Sequence, residues 1–377
     1  MIRVLLLALV ASSSVVAQTT NVVHDREFTD FFRQTSGWTA GDGALSIPLS
    51  GGQVLWLFGD SHVDDIEPKN GTMPCLFQVR NAGFLQLRTN DLTNPKTLIG
   101  SGPGFRSWFK SGKTEDQWFW PICGFRQAEN VYIYLATLRK TAAGGMWGFE
   151  SIGHDFFAKL SVADLEKAAR TAGDKPLVDA VRISYLPLPA FNGIGFGNGF
   201  VRDGDYVLAY GQKQSGIAGD LYLARFRAIK PDKDWQFWDG LRWNDNVNNA
   251  VIIGRGASTS IHVCKVRDRY VVTSSAFSVA CDQGRDIFMS VSDRPTGTFS
   301  ARHKVFTVDD EYQGHYPFFY FPVAHPEFIN DQDEILVTYS INGYQPCVSA
   351  CIDGRAIPDH YRPRAIRVPL GMIGIGK

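Results

Sequence analysis

Two aspartates with glycine neighbours open the chemical reading: Asp42 in "AGDGALS" and Asp60 in "WLFGDSH", eighteen residues apart. The segment between them reads as strand, Ser-Gly-Gly turn and strand, a hairpin whose two ends lie side by side. Both carboxylates should therefore reach the same end of one sheet. Paired carboxylates across a cleft are the tools of glycoside hydrolysis, one protonating the leaving oxygen while the other acts as nucleophile or base. Gly-Asp and Asp-Gly also mark ordinary turns, and that reading stays open. Against it stands the context of Asp60, which directly follows Val54, Leu55, Trp56, Leu57 and Phe58, a run that should be buried on both faces. Desolvation behind Asp60 would raise its pKa and suit it to be the general acid, whereas Asp42, in an open turn between Gly41 and Gly43, should stay ionised.

Other residues could hold a sugar. "DQWFWPICGF" supplies Trp118 and Trp120, whose faces can stack on the apolar faces of sugar rings, in a chain with 9 Trp, 13 Tyr and 26 Phe; either ring could equally be core. Asn198 precedes the strand "GFVRDGDYVLAYGQ", and Tyr210-Gly211-Gln212 ends it much as Phe58-Gly59-Asp60 ends the earlier one, which puts Gln212 on a polar rim. His262 in "STSIHVCKV" is a candidate ligand or a satisfied buried histidine. His325, Glu327, Tyr339 and Asn342 gather near one hairpin in "AHPEFINDQDEILVTYSING", where Pro326 fixes the backbone between two ionisable groups; a turn role is the alternative. There is no phosphate-binding glycine loop, zinc-protease His pair or nucleophile elbow, and no Cys/His cluster at zinc spacing, so neither a cofactor nor a metal is expected.

The elements that must position these groups are almost all strands. Short β-rich runs bounded by Gly, Asn, Asp and Pro recur throughout, and only "SVADLEKAARTAG" reads as a helix, with Ser161 as its cap. The runs group into a loose repeat, with blades expected near residues 43–95, 117–166, 182–230, 250–300 and 318–370. The expected fold is all-β, a five-bladed β-propeller spanning 25–377, in which loops at one end of the inner strands converge on a shared cleft. A β-sandwich with an accessory β domain is the alternative.

Lys+Arg 38 balance Asp+Glu 38, so no long-range field favours nucleic acid or an anionic membrane. Residues 1–17 combine Arg3, an apolar run from Val4 to Val10 and a small-residue end at Ala17, a secretory signal peptide. No later run reaches the ~20 apolar residues of a membrane span. The mature chain is thus expected in the periplasm or outside the cell, as a monomer. Its six cysteines could then form disulfides, with Cys347–Cys351 and Cys264–Cys281 favoured by closeness in sequence, or remain in part as buried thiols.

The stretches "GWTAGDGALSIPLSGGQVLWLFGDS", "QWFWPICG", "DIFMSVSDRPTGTFS" and "AHPEFINDQDEILVTYSING" together resemble a bacterial family of secreted five-bladed propellers, long described as a domain of unknown function and grouped with the endo-D-arabinanases among glycoside hydrolases. The likeness runs in order along most of the mature chain and is most specific in the first hairpin. It implies that Asp42 and Asp60 are the carboxylate pair, with Asp60 the acid/base, that the last-blade motif carries His325 to the cleft, and that the substrate is a polysaccharide such as an arabinan or another furanoside. The chain departs from the family at Ala40, at Ser61-His62 and through the middle blades. A propeller that binds carbohydrate without cleaving it is the competing function.

Overall fold

In the computed structural model, residues 21–102, 106–112, 114, 116–141, 148–344, 347–348 and 350–376 are described; the expected signal peptide lies outside them. Five sheets, antiparallel but for one parallel edge pairing in the first, follow one another along the chain, each beginning with its innermost strand. The inner strands are Leu45–Pro48, Gln117–Gln127, Gly195–Asp203, Ile261–Val266 and Phe318–His325. This is a five-bladed β-propeller. The ring is closed by chain ends: Val23–His24 pairs with Arg364–Pro369, so the first strand forms the outer edge of the last blade.

Each interface between neighbouring blades is filled by its own apolar cluster. Leu55, Leu57 and Leu85 meet Phe119 and Ile133 between blades one and two, and Phe125, Tyr134 and Phe157 meet Phe196 and Phe226 between two and three. Leu208, Tyr210 and Leu223 meet Val263 and Val272 between three and four. Cys264, Ile287 and Met289 meet Val337, Tyr339 and Ile366 between four and five. The seam between blades five and one is strongly aromatic, with Trp38, Trp56, Phe58, Phe84 and Phe328 joined by Phe28 and Phe31 from the short helix Arg26–Phe31 and by Phe32 at its C-cap. All five residues of Val54–Phe58 are buried, so the strand that delivers Asp60 is anchored on both faces, as its composition requires.

Three sequence expectations shift. Ile183–Pro187 is the outer strand of blade two and not the start of blade three, because Val162–Ala169 and the edge strand Leu177–Val178 form an excursion after which the chain returns to the same sheet. Blade four begins at Ile261, after a connection that adds Gly254–Arg255 to blade three. Ser161 stands at the N-cap of Val162–Ala169 but its side chain makes no capping hydrogen bond.

The disulfide pairing also differs. Cys75 joins Cys351 and Cys281 joins Cys347, while Cys123 and Cys264 are buried free thiols. Closeness in sequence misled because Cys264 lies within an inner strand, sealed in the interface between blades. Cys351 belongs to a small sheet of Met73–Pro74, Arg355–Ala356 and Cys351–Ile352, and that pairing carries it to Cys75. Among the described residues, no helix is long and apolar enough to cross a membrane.

Candidate active site

Asp42 and Asp60 are adjacent through their backbones: Gly59 N–H donates to Asp42 O at 2.8 Å, and Asp42 N–H to Asp60 O at 3.3 Å. The hairpin therefore does bring its two ends together, at the N-terminal end of the inner strands. Gly43 adopts φ 105°, a conformation that favours glycine, and its N–H donates to Ser340 Oγ of blade five at 3.0 Å. Gly59 is required for a different reason. A Cβ there would collide with Asp42 Oδ1, so the two acids come close only because the residue before Asp60 has no side chain.

Asp42 is not in an open turn. Its Oδ2 accepts hydrogen bonds from Tyr320 Oη at 2.6 Å and Tyr361 Oη at 3.1 Å. Burial pushes its pKa up, and the two phenols with the nearby backbone N–H groups oppose that rise by binding the anion. Tyr320 is aimed by a bulge: Phe321 has φ 56°, and the pairing with the next strand slips between Tyr320 and Val323. Tyr361 is held from behind by Tyr344, 5.3 Å between ring centroids, and by His62, 6.3 Å away. His62 Nδ1 in turn bonds Asp65 Oδ2 at 2.6 Å, and Thr39 Oγ1 donates to Asp65 Oδ1 at 2.8 Å. Tyr361 also packs with Met73 and Ala356 of the small sheet stapled by Cys75–Cys351, so this disulfide braces the wall behind Asp42.

Asp60 has a different environment. Only 6% exposed, it is pushed up to about 7, first by burial and then by the negative charge of Asp42. Two weaker partners resist the rise: Arg80 Nη1, 3.5 and 3.4 Å from the two carboxylate oxygens, and Trp120 Nε1 at 3.3 Å. The Arg80 guanidinium lies 4.2 Å over the Trp118 ring and 4.8 Å over Phe77. Two neighbouring acids, one accepting two phenol hydrogen bonds and the other with long contacts and a near-neutral pKa, can divide acid and base roles.

The other candidates divide between the cleft and the interior. Trp120 touches Asp60, and Trp118 is mostly buried beside it, 6.4 Å between centroids. Asn342 lies at the cleft end of blade five, its Oδ1 accepting from Tyr344 N–H at 2.9 Å. Asn198 and Gln212 act as clasps between blades three and four, donating to Ile261 O at 2.8 Å and Thr259 O at 2.6 Å. Gln212 does not end its strand, which continues to Ser215. His262 is 8% exposed, burial pulls its pKa down to about 4, and its Nδ1 finds no hydrogen-bond partner among the described residues. His325 does not reach the carboxylates. It is fully buried, with Nδ1 at 2.5 Å from Ser46 Oγ and Nε2 at 2.8 Å from Thr338 Oγ1. Glu327 also bonds Ser46. Both residues sit at the opposite end of Phe318–His325 from Tyr320, so neither orients Asp60.

Sequence reasoning missed Tyr320, Tyr361 and Arg80. Arg80 had a signal: Phe58 pairs with Ala82, so a charge two residues past one buried strand faces a charge two residues before the next. Tyr320 is hidden in the aromatic run "YPFFYFP", and Tyr361 carries no local mark.

A five-bladed propeller with two coupled aspartates at the cleft end of its inner strands is the class that fold and site define. The sequence matches the family described as "Domain of unknown function (DUF5005)" over residues 25–370, and the chain belongs to that family. Among solved structures, the chain is similar to a "putative hydrolase" from Bacteroides ovatus, with TM-score 0.69 and 17% identity over 92% of this chain and 90% of that one. Weaker likenesses include the exo-β-1,3-galactanase of Phanerochaete chrysosporium, TM-score 0.44 and 9% identity over 93% and 64% of the two chains. The catalytic domain of a Coprinopsis cinerea GH62 α-L-arabinofuranosidase is another, TM-score 0.44 and 11% identity over 89% and 92%. At these identities the likeness is one of fold. No curated protein matches the sequence.

Proposed function

We propose that this protein is an exported glycoside hydrolase that cleaves a polysaccharide with Asp60 as general acid and Asp42 as nucleophile or as the base that activates water. The observation that carries this reading is the division of labour between the two carboxyls. Asp60, with a pKa of about 7, keeps a proton to give near neutral pH, while Asp42 accepts two phenol hydrogen bonds that favour its anion. Trp120, bonded to Asp60 and partly exposed, offers a ring face beside the reacting bond. The resemblance of the first hairpin to the endo-D-arabinanase family suggests an arabinan or another furanoside as substrate.

The test is release of reducing sugar from a panel of arabinan, arabinoxylan, arabinogalactan and xylan by the wild type and by Asp42→Asn. Release by the wild type and a loss of at least a thousandfold in the variant are expected. Equal release by both would remove Asp42 from the chemistry. Retention of a glycan with no release by the wild type would favour a binding propeller instead.

A further inference from the structure

Blade two carries features at the cleft end that the carboxylate chemistry does not use. Gln117–Gln127 begins at this end, Asn130–Lys140 finishes there, and Phe149–Ser151 pairs with its last residues, Leu138 to Lys140. The side chains form a strip running outward from the axis. Trp120, hydrogen-bonded to Asp60, meets Phe149 edge-on at 4.8 Å, and Trp118 meets the same ring at 5.8 Å. The Trp118 indole N–H is buried and finds no partner among the described residues. Residues that follow Phe149 in the chain and flank Trp118 and Leu138 in the same sheet line a hollow of about 540 Å³: Gln117, Arg139, Glu150, Ser151, Ile152 and His154. Arg139 Nη2 and Glu150 Oε1 pair at 2.5 Å, so the two opposite charges cancel. What remains is an amide, a hydroxyl and an imidazole around a concave floor.

We propose that this hollow is a distal glycan subsite, which holds units of an uncharged, hydroxyl-rich chain several residues away from the bond being cleaved. The proposal rests on the glycoside hydrolase reading and gives that reading a direction: the chain runs from Asp42 and Asp60 over Trp120 and Phe149 into blade two. Aromatic edges and faces suit the apolar patches of sugar rings, and mixed donors and acceptors suit their hydroxyls. The internal Arg139–Glu150 pair leaves no surplus charge to select a uronic acid. Remote contacts of this kind raise the specificity constant for long substrates over short ones.

The experiment compares the wild type, Ser151→Trp, which fills the hollow, and Ser151→Thr, which barely changes its size, on linear arabino-oligosaccharides of two and of eight units. For Ser151→Trp the ratio of kcat/KM on the long substrate to that on the short one should fall about tenfold, and for Ser151→Thr it should stay within about twofold. A ratio that Ser151→Trp leaves within twofold of wild type overturns the subsite, as does an equal loss on both lengths. Should the wild type hydrolyse neither length, the failure belongs to the enzymatic reading, and affinity electrophoresis in arabinan, arabinoxylan and xylan decides the subsite by itself. Retardation of the wild type that Ser151→Trp abolishes supports it; equal retardation, or none for either protein, overturns it.

Discussion

Removing the phenols from Asp42 tests the proposed assignment of roles. In Tyr320→Phe and Tyr361→Phe the ring stays and one donor to Asp42 Oδ2 is lost, from 2.6 Å in the first case and 3.1 Å in the second. Burial, which raises the pKa of Asp42, is then opposed by one phenol and the backbone N–H groups alone. A hydrogen bond to a charged group contributes ~1.5–3 kcal/mol, so one lost donor should make ionisation about ten- to a hundredfold harder. As Asp42 must be ionised to act, the acid limb of the kcat/KM profile should move to higher pH, further for Tyr320→Phe because its bond is shorter. Below the limb activity should fall by about that factor, and less on the plateau. The two donors share one oxygen, so the double variant should depart from additivity. The assay is a pH profile of kcat/KM for the four proteins, with unfolding midpoints as a check on folding. Profiles that superimpose on the wild type after scaling, or limbs that move to lower pH, would refute the role given to Asp42.

Three further outcomes concern Asp60. Asp60→Asn should lose far more kcat on a natural glycoside than on an aryl glycoside with a good leaving group, which needs no proton; equal losses would mean Asp60 is not the acid. Arg80→Met removes the cation that holds Asp60 down, so the alkaline limb of the profile should move to higher pH; a limb that stays in place would separate Arg80 from the acid's titration. Because the folded state raises Asp60 from 3.8 to about 7, it binds that proton more tightly than the unfolded chain, and wild-type stability should decline as pH rises through this window by on the order of 4 kcal/mol. Asp60→Asn avoids that decline, so urea unfolding at about pH 4 and about pH 8 should show its advantage growing with pH, and a constant difference would contradict the raised value.

The features read correctly from sequence are local in the chain. Val54 to Phe58 declare a buried strand by composition, and the Ser-Gly-Gly turn fixes the register that sets Asp60 beside Asp42. The features that escaped are joined over long separations. Tyr320 and Tyr361 follow Asp42 by 278 and 319 residues, and no spacing rule marks the tyrosine of "FFYF" as a partner of Asp42. Blade boundaries slipped where the chain leaves a sheet and returns to it, as around Val162–Ala169, because strand composition does not say which sheet a strand joins. His325 and Glu327 looked functional because they gather near one hairpin, with Pro326 fixing the backbone between two ionisable groups. Their partners are structural.

That structural use bears on the chemistry. Asp42 comes from the approach to the first blade, and its phenols come from the inner strand of the last blade and from the connection between two strands of that blade, so the proposed site straddles the seam where the ring closes. The bonds across the seam are polar and buried: Gly43 N–H to Ser340 Oγ, Ser46 Oγ to His325 Nδ1, and Ser46 to Glu327. Burial raises the pKa of Glu327 and lowers that of His325, so both tend toward their neutral forms, which need hydrogen bonds and no counter-ion. A neutral, fully bonded cluster of this kind fixes one register between two blades, which apolar packing of Trp56 and Phe328 alone would specify less sharply. The position of Asp42 relative to Tyr320 depends on that register, since each belongs to a different side of the seam. The histidine and glutamate beneath the cleft thus act on the carboxylate pair without touching it, by holding together the two blades that assemble it.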